Sequence, residues 1–141
     1  MKSLEISEVV KRSGLPASTL RYYESLGLIE SSGRRGLKRL FNPSVLERLD
    51  IISLSRWAGF TLDEIGDWFG RDGRVAIDKA QLVQKADEVE ARATQMRALS
   101  KIIRHTSQCP EENHLECDNF RKLMKIARRH RPTKEATTKV R

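Results

Sequence analysis

A chain of 141 residues has room for one modest domain and an extension, which excludes the large substrate cleft of a multi-domain enzyme. Its 27 Lys and Arg against 19 Asp and Glu give a formal charge of +8, favouring a polyanionic partner such as nucleic acid or an acidic membrane surface. Apolar runs such as Leu49-Asp50-Ile51-Ile52-Ser53-Leu54 are short and interrupted, Met1–Glu5 lacks a signal-peptide core, and there are two cysteines; the chain is expected to be cytoplasmic, with reduced thiols.

In chain order, Ile6, Val9 and Val10 mark a first short helix that Ser13-Gly14 breaks. Pro16-Ala17-Ser18 opens a second, carrying Leu20, Tyr23 and Leu26 and ending at Gly27, so the pair reads as helix, tight turn, helix. From Leu28 to Phe41, Ser31-Ser32-Gly33 and Gly36 punctuate two short strands around the basic tip Arg34-Arg35-Gly36-Leu37-Lys38-Arg39, a wing. Asn42-Pro43 caps a third helix that runs to Gly59, and Thr61-Leu62-Asp63-Glu64 is a capping box for a fourth expected to reach Phe69.

Gly70-Arg71-Asp72-Gly73 is read as the end of a domain spanning residues 1–70. A polar stretch without Gly or Pro then spans residues 75–108, with Leu82, Val89, Met96 and Ile103 recurring every seven residues and Ala86, Ala93 and Leu99 between them. That is a coiled-coil seam, and a lone helix would leave it in water, so a second copy of the chain is the expected partner. Residues 109–141 form a third region. Cys109-Pro110 stops the long helix, Cys117-Asp118-Asn119 starts a short one with Phe120, Leu123, Met124 and Ala127 on one face, and the stretch from His130 to Arg141 reads as a mobile basic tail. The fold class is therefore mainly α: a winged helix-turn-helix, a long antiparallel coiled-coil dimerisation helix and a short C-terminal helix.

The segment from Ser18 to Ile29, the wing from Gly36 to Pro43 and the stretch from Trp57 to Ile65 together resemble the MerR family of transcription regulators. One departure is Phe41, where that family usually carries tyrosine. The resemblance implies DNA-binding roles for Ser18, Thr19, Arg21, Tyr23, Arg34, Arg35, Lys38 and Arg39, whose hydroxyls and guanidinium forks suit phosphates and base edges. Adjacent helical residues face different ways, so only one of Tyr22 and Tyr23 can meet DNA, and Tyr23 is the one assigned to it. The resemblance further implies a homodimer on a pseudo-palindromic promoter operator of double-stranded DNA, distorting it for RNA polymerase in response to an effector, with no membrane partner and no catalysis.

Cys109 and Cys117, flanking a loop after the long helix, match in position and spacing the cysteine pair of the family's copper-sensing, CueR-like branch. Thiolates favour Cu(I) or Zn(II), and His114 is a candidate additional ligand for zinc. No cysteine stands near residues 74–78, where mercury, lead, cadmium and zinc sensors of the family place a third thiolate. The redox-sensing branch holds an iron–sulfur cluster with four cysteines, twice the number here. Metal binding, a thiol switch and purely structural cysteines all stand as readings of the pair.

Overall fold

A computed structural model describes residues 2–130. The elements are β1 (Leu4–Glu5), α1 (Ile6–Ser13), α2 (Ala17–Ser25), β2 (Gly33–Arg35), β3 (Lys38–Phe41), α3 (Val45–Ala58), α4 (Leu62–Gly66), α5 (Lys79–Thr106), a short 3-10 turn (His114–Glu116) and α6 (Asp118–Arg129). They separate into two compact units, residues 2–89 and 90–130, with the division inside α5. The tail expected over residues 131–141 lies outside the described residues.

The first unit is built as helix, turn, helix and wing. Gly14 adopts φ +75 and its N–H closes on the Val10 carbonyl at 3.0 Å, which ends α1 and lets the chain reverse into α2. β3 lies between β1 and β2, antiparallel to both, with Leu4 opposite Phe41 and Arg34 opposite Arg39. Its hairpin turns at Gly36-Leu37, with the glycine at φ +66 in the first turn position. The β1 strand was not foreseen: two residues carry no periodicity, and only the β3 backbone opposite makes them a strand.

Val9, Leu20, Ile29, Phe41, Leu49, Ile52 and Ile65 are fully enclosed and bring α1, α2, β3, α3 and α4 onto one core. Truncating any of the larger ones to alanine would cost roughly 2–5 kcal/mol. The Asn42 side chain accepts the Ser44 N–H at 3.0 Å, and Val45 begins α3. At α4 the capping box forms as expected: Thr61 Oγ1 accepts from the Glu64 N–H at 3.2 Å, and Glu64 Oε1 from the Thr61 N–H at 3.0 Å.

Three boundaries differ from the sequence reading. α4 stops at Gly66 instead of Phe69, because the Trp68 indole and Phe69 turn inward, Trp68 edge-on against Phe60 at 4.6 Å and Phe69 under the Arg48 guanidinium at 4.0 Å. Gly70-Arg71-Asp72-Gly73 is a turn within the first unit, since Phe69 and Val75 pair across it and the chain returns to the core at Ile77. The first turns of α5 then join this unit: Gln81 accepts from the Trp68 Nε1–H at 3.3 Å, and Lys85 donates to the Gly59 carbonyl at 3.4 Å. α5 begins at Lys79 rather than Val75 and has 28 residues, about 42 Å of helix. Its Leu82, Val89, Met96 and Ile103 are each about half exposed.

Candidate nucleic-acid interface and cysteine loop

α2 buries Leu20 and packs Tyr23 against the core, so the face four and seven residues round from Ser18 points outward. Ser18, Arg21, Tyr22 and Ser25 are exposed along it, at the i, i+3, i+4, i+7 spacing of a single helical stripe. Thr19 is half-buried beside them. The sequence assigned Tyr23 to DNA; in the structure Tyr22 is the more outward ring, 54% exposed, and Tyr23 packs partly buried against the core. Burial pushes the Tyr23 phenol above its ordinary range, with nearby Arg56 opposing.

The wing cations divide by the pleat of their strands. Arg35 and Lys38 pair across β2 and β3 on the same face as Leu40, where Glu5 from β1 meets Lys38 at 3.3 Å and Arg35 at 3.9 Å. Arg34 and Arg39 share the other face, which carries Phe41 toward the core. Arg39 there makes a 2.9 Å ion pair with Glu24 of α2, the two side chains 32% and 21% exposed, tying the wing to the helix. Arg34 has no carboxylate within ion-pair distance among the described residues. Two like charges directly opposed on a strand pair are unfavourable unless an anion is shared; Glu24 supplies one to Arg39, and no carboxylate supplies one to Arg34 among the described residues. Sequence reasoning found the four cations but missed Glu5 and Glu24, whose roles depend on β1 and on α2 lying beside the wing.

In the second unit, the cysteine loop is ordered by its own backbone. Cys109 N–H bonds the Thr106 carbonyl at 3.1 Å, Asn113 Oδ1 caps the 3-10 turn at Leu115 N–H, and Cys117 N–H bonds the His114 carbonyl at 3.0 Å. Cys109, half-buried, and Cys117, buried, line one surface pocket together. The Cys109 thiol holds the Cys117 sulfur below the ordinary thiol range, helped by the Phe120 and Asn119 N–H groups at the start of α6. Cys109 is raised in turn, chiefly by the neighbouring Cys117 thiol. His114 does not join them as the sequence had suggested: its ring stands edge-on to Phe120 at 5.6 Å. No three His, Cys, Asp or Glu side chains gather into a metal-binding group among the described residues. The donor set in one chain is therefore two sulfurs, which suits a two-coordinate soft monovalent ion such as Cu(I) and does not supply the four ligands of a structural zinc site.

A short helix presenting a polar stripe beside a basic β-hairpin defines a winged helix-turn-helix DNA-binding unit. Residues 4–71 match the model of the MerR HTH family regulatory proteins, and residues 46–106 match the MerR DNA-binding region. A Pseudomonas aeruginosa protein described as an uncharacterised HTH-type transcriptional regulator is 30% identical, over 85% of this chain and 96% of its own length. The HTH-type transcriptional regulator CueR of Salmonella typhi is 26% identical over 81% of this chain and 87% of its own. A MerR-family transcriptional regulator from Bacillus cereus shares the fold, with a TM-score of 0.66, 18% identity and coverage of 92% and 98%. The chain belongs to the MerR family of DNA-binding transcription regulators, whose members work as dimers. No helix among the described residues is long and apolar enough to cross a membrane.

Proposed function

We propose that this chain is a homodimeric regulator that distorts promoter DNA in response to a thiophilic effector sensed at Cys109 and Cys117. The observation that carries the effector assignment is the pocket that the two cysteines line together, on a loop that begins where α5 ends. Ser18, Arg21 and Tyr22 of α2 meet the major groove, with Thr19 beside them and Tyr23 positioning the helix from beneath. Arg34 grips a phosphate directly, and Arg35, Lys38 and Arg39 exchange Glu5 and Glu24 for phosphate oxygens. Leu82, Val89, Met96 and Ile103 meet the corresponding stripe of a second copy in reverse order, in an antiparallel seam, and two recognition helices so related engage half-sites roughly 34 Å apart. Bending or untwisting the DNA between them costs on the order of 1–6 kcal/mol, which effector-dependent contacts offset so that RNA polymerase engages the promoter.

A soft monovalent ion would be held by the Cys109 and Cys117 sulfurs and would supply a link between the end of α5 and the start of α6. Any such effector changes promoter geometry only as far as it binds the two dimer states unequally. The test is anaerobic titration of the reduced protein with Cu(I) and separately with Zn(II), read by binding stoichiometry and by in vitro transcription from the operator. Cu(I) binding at one ion per cysteine pair, with transcription lost in Cys109→Ser and in Cys117→Ser, is the expected result. Full effector-dependent transcription in both serine variants would refute the assignment.

A further inference from the structure

The positive charge of this chain does not reside in its DNA-binding unit. Residues 1–120 hold 18 Lys and Arg and 18 Asp and Glu, whereas residues 121–141 hold nine and one, so the whole +8 belongs to the last 21 residues. Five of those nine cations, Arg121, Lys122, Lys125, Arg128 and Arg129, stand on α6. At about 100° per residue they occupy an arc of about 120°, and Phe120, Leu123 and Ala127 lie on the opposite side. All five are exposed, and none is ion-paired among the described residues, unlike Arg12, Arg35, Lys38 and Arg39 of the first unit.

The first part of the pattern works against the helix that carries it, whereas Arg128 and Arg129 in the last turn suit its dipole. Arg121 and Lys122 stand near the positive end of the α6 dipole, and Arg121–Lys125 and Lys125–Arg129 are like-charge pairs four residues apart, each unfavourable by a few tenths of a kcal/mol. Apart from Arg121, which donates to the Leu115 carbonyl at 2.8 Å, these side chains have no hydrogen-bond or ion-pair partner among the described residues, and a row of this kind suits an external polyanion. The five charges span nine residues, about 12 Å along the axis, a length over which duplex DNA presents about seven phosphates. A membrane surface fits less well: an interfacial helix needs a free apolar face with aromatic anchors, but Phe120 is engaged by His114, and Leu123 and Ile126 are half-buried.

We propose that α6 is a second, sequence-independent DNA-binding surface, on which Lys122, Lys125 and Arg129, flanked by Arg121 and Arg128, contact the phosphate backbone outside the sites read by α2 and the wing. It adds nonspecific affinity that falls with salt as counterions are released. The test uses the full chain and a duplex lacking any operator. Neutralising Lys122→Gln, Lys125→Gln and Arg129→Gln together makes the slope of log affinity against log salt shallower by about 2.7 for each α6 engaged, and leaves the operator footprint of α2 unchanged. The variant relieves repulsion within α6, so its helical circular dichroism is retained. Lys122→Arg with Lys125→Arg keeps the wild-type slope and excludes a merely structural effect. An unchanged slope in the neutralised variant overturns the proposal, as does a defect confined to anionic phospholipid vesicles or to an acidic polypeptide such as polyglutamate. Failure of operator recognition by α2 and the wing is read separately, from Arg34→Ala on operator DNA.

Discussion

Arg34 and Arg39 face the same side of the wing, directly across the strand pair, but only Arg39 holds a carboxylate. Their removal therefore has different consequences. Arg34→Ala deletes an exposed cation with no internal partner, so folding stability changes by less than about 0.5 kcal/mol. One phosphate contact per protomer is lost, which makes the salt slope of operator binding shallower by about 0.9 per protomer, or about 1.8 for a dimer. Between about 50 and about 200 mM salt the variant accordingly loses about 12-fold less affinity than the wild type. Arg39→Ala breaks an ion pair with both partners about a quarter exposed, intermediate between surface pairs of at most about 1 kcal/mol and buried ones of several. It destabilises the fold by about 1 kcal/mol and leaves the Glu24 carboxylate facing DNA, adding repulsion to the lost contact. Urea unfolding of Arg39→Ala, Glu24→Gln and the double variant should give a coupling of about 1 kcal/mol, and fluorescence anisotropy on operator DNA reads the slopes. A wild-type salt slope for Arg34→Ala, or zero coupling between Arg39 and Glu24, would refute the reasoning.

Exchanging the roles of the two tyrosines has equally direct readouts: Tyr23→Ala removes a ring packed on the core and costs about 1–2 kcal/mol, measured by denaturant midpoint, whereas Tyr22→Ala leaves stability within about 0.5 kcal/mol and weakens operator binding. The Glu64 carboxyl is held below its ordinary range chiefly by the Thr61 N–H. Because the folded pKa is the lower one, its contribution is fully present above the ordinary carboxylate pKa and is lost as pH falls through the folded value. Glu64→Gln should therefore flatten the acid limb of stability below about pH 4.5, and Thr61→Ala should cost about 1 kcal/mol at neutral pH, both read by urea unfolding across pH.

Local pattern carried most of the elements. Gly14 and Gly36 marked turns because the backbone there needs positive φ, Thr61 and Glu64 declared a helix start because both halves of the capping box lie within one turn, and an uninterrupted heptad announced α5 because the stripe depends on spacing alone. The cysteine spacing likewise located the loop after α5, and the basic run at residues 34–39 located the wing. Which cations are free and which are held was not legible, since Glu5 and Glu24 reach their arginines only after β1 pairs with β3 and α2 lies beside the wing.

Tertiary packing also decided features that no periodicity encodes. Tyr22 and Tyr23 are chemically the same, and only the position of the core beneath α2 says which ring is sequestered from water. α4 is cut short because burying Trp68 and Phe69 gains more than continuing a helix, and the apparent boundary at Gly70–Gly73 lies inside the first unit because the chain beyond it returns to the same core. His114 is separated from the thiols because its ring packs on Phe120. The sequence alone determined the order of helices, the wing and the family, all set by interactions within a few residues. The assignment of each side chain to core, ion pair or open surface arose from contacts between residues far apart in the chain.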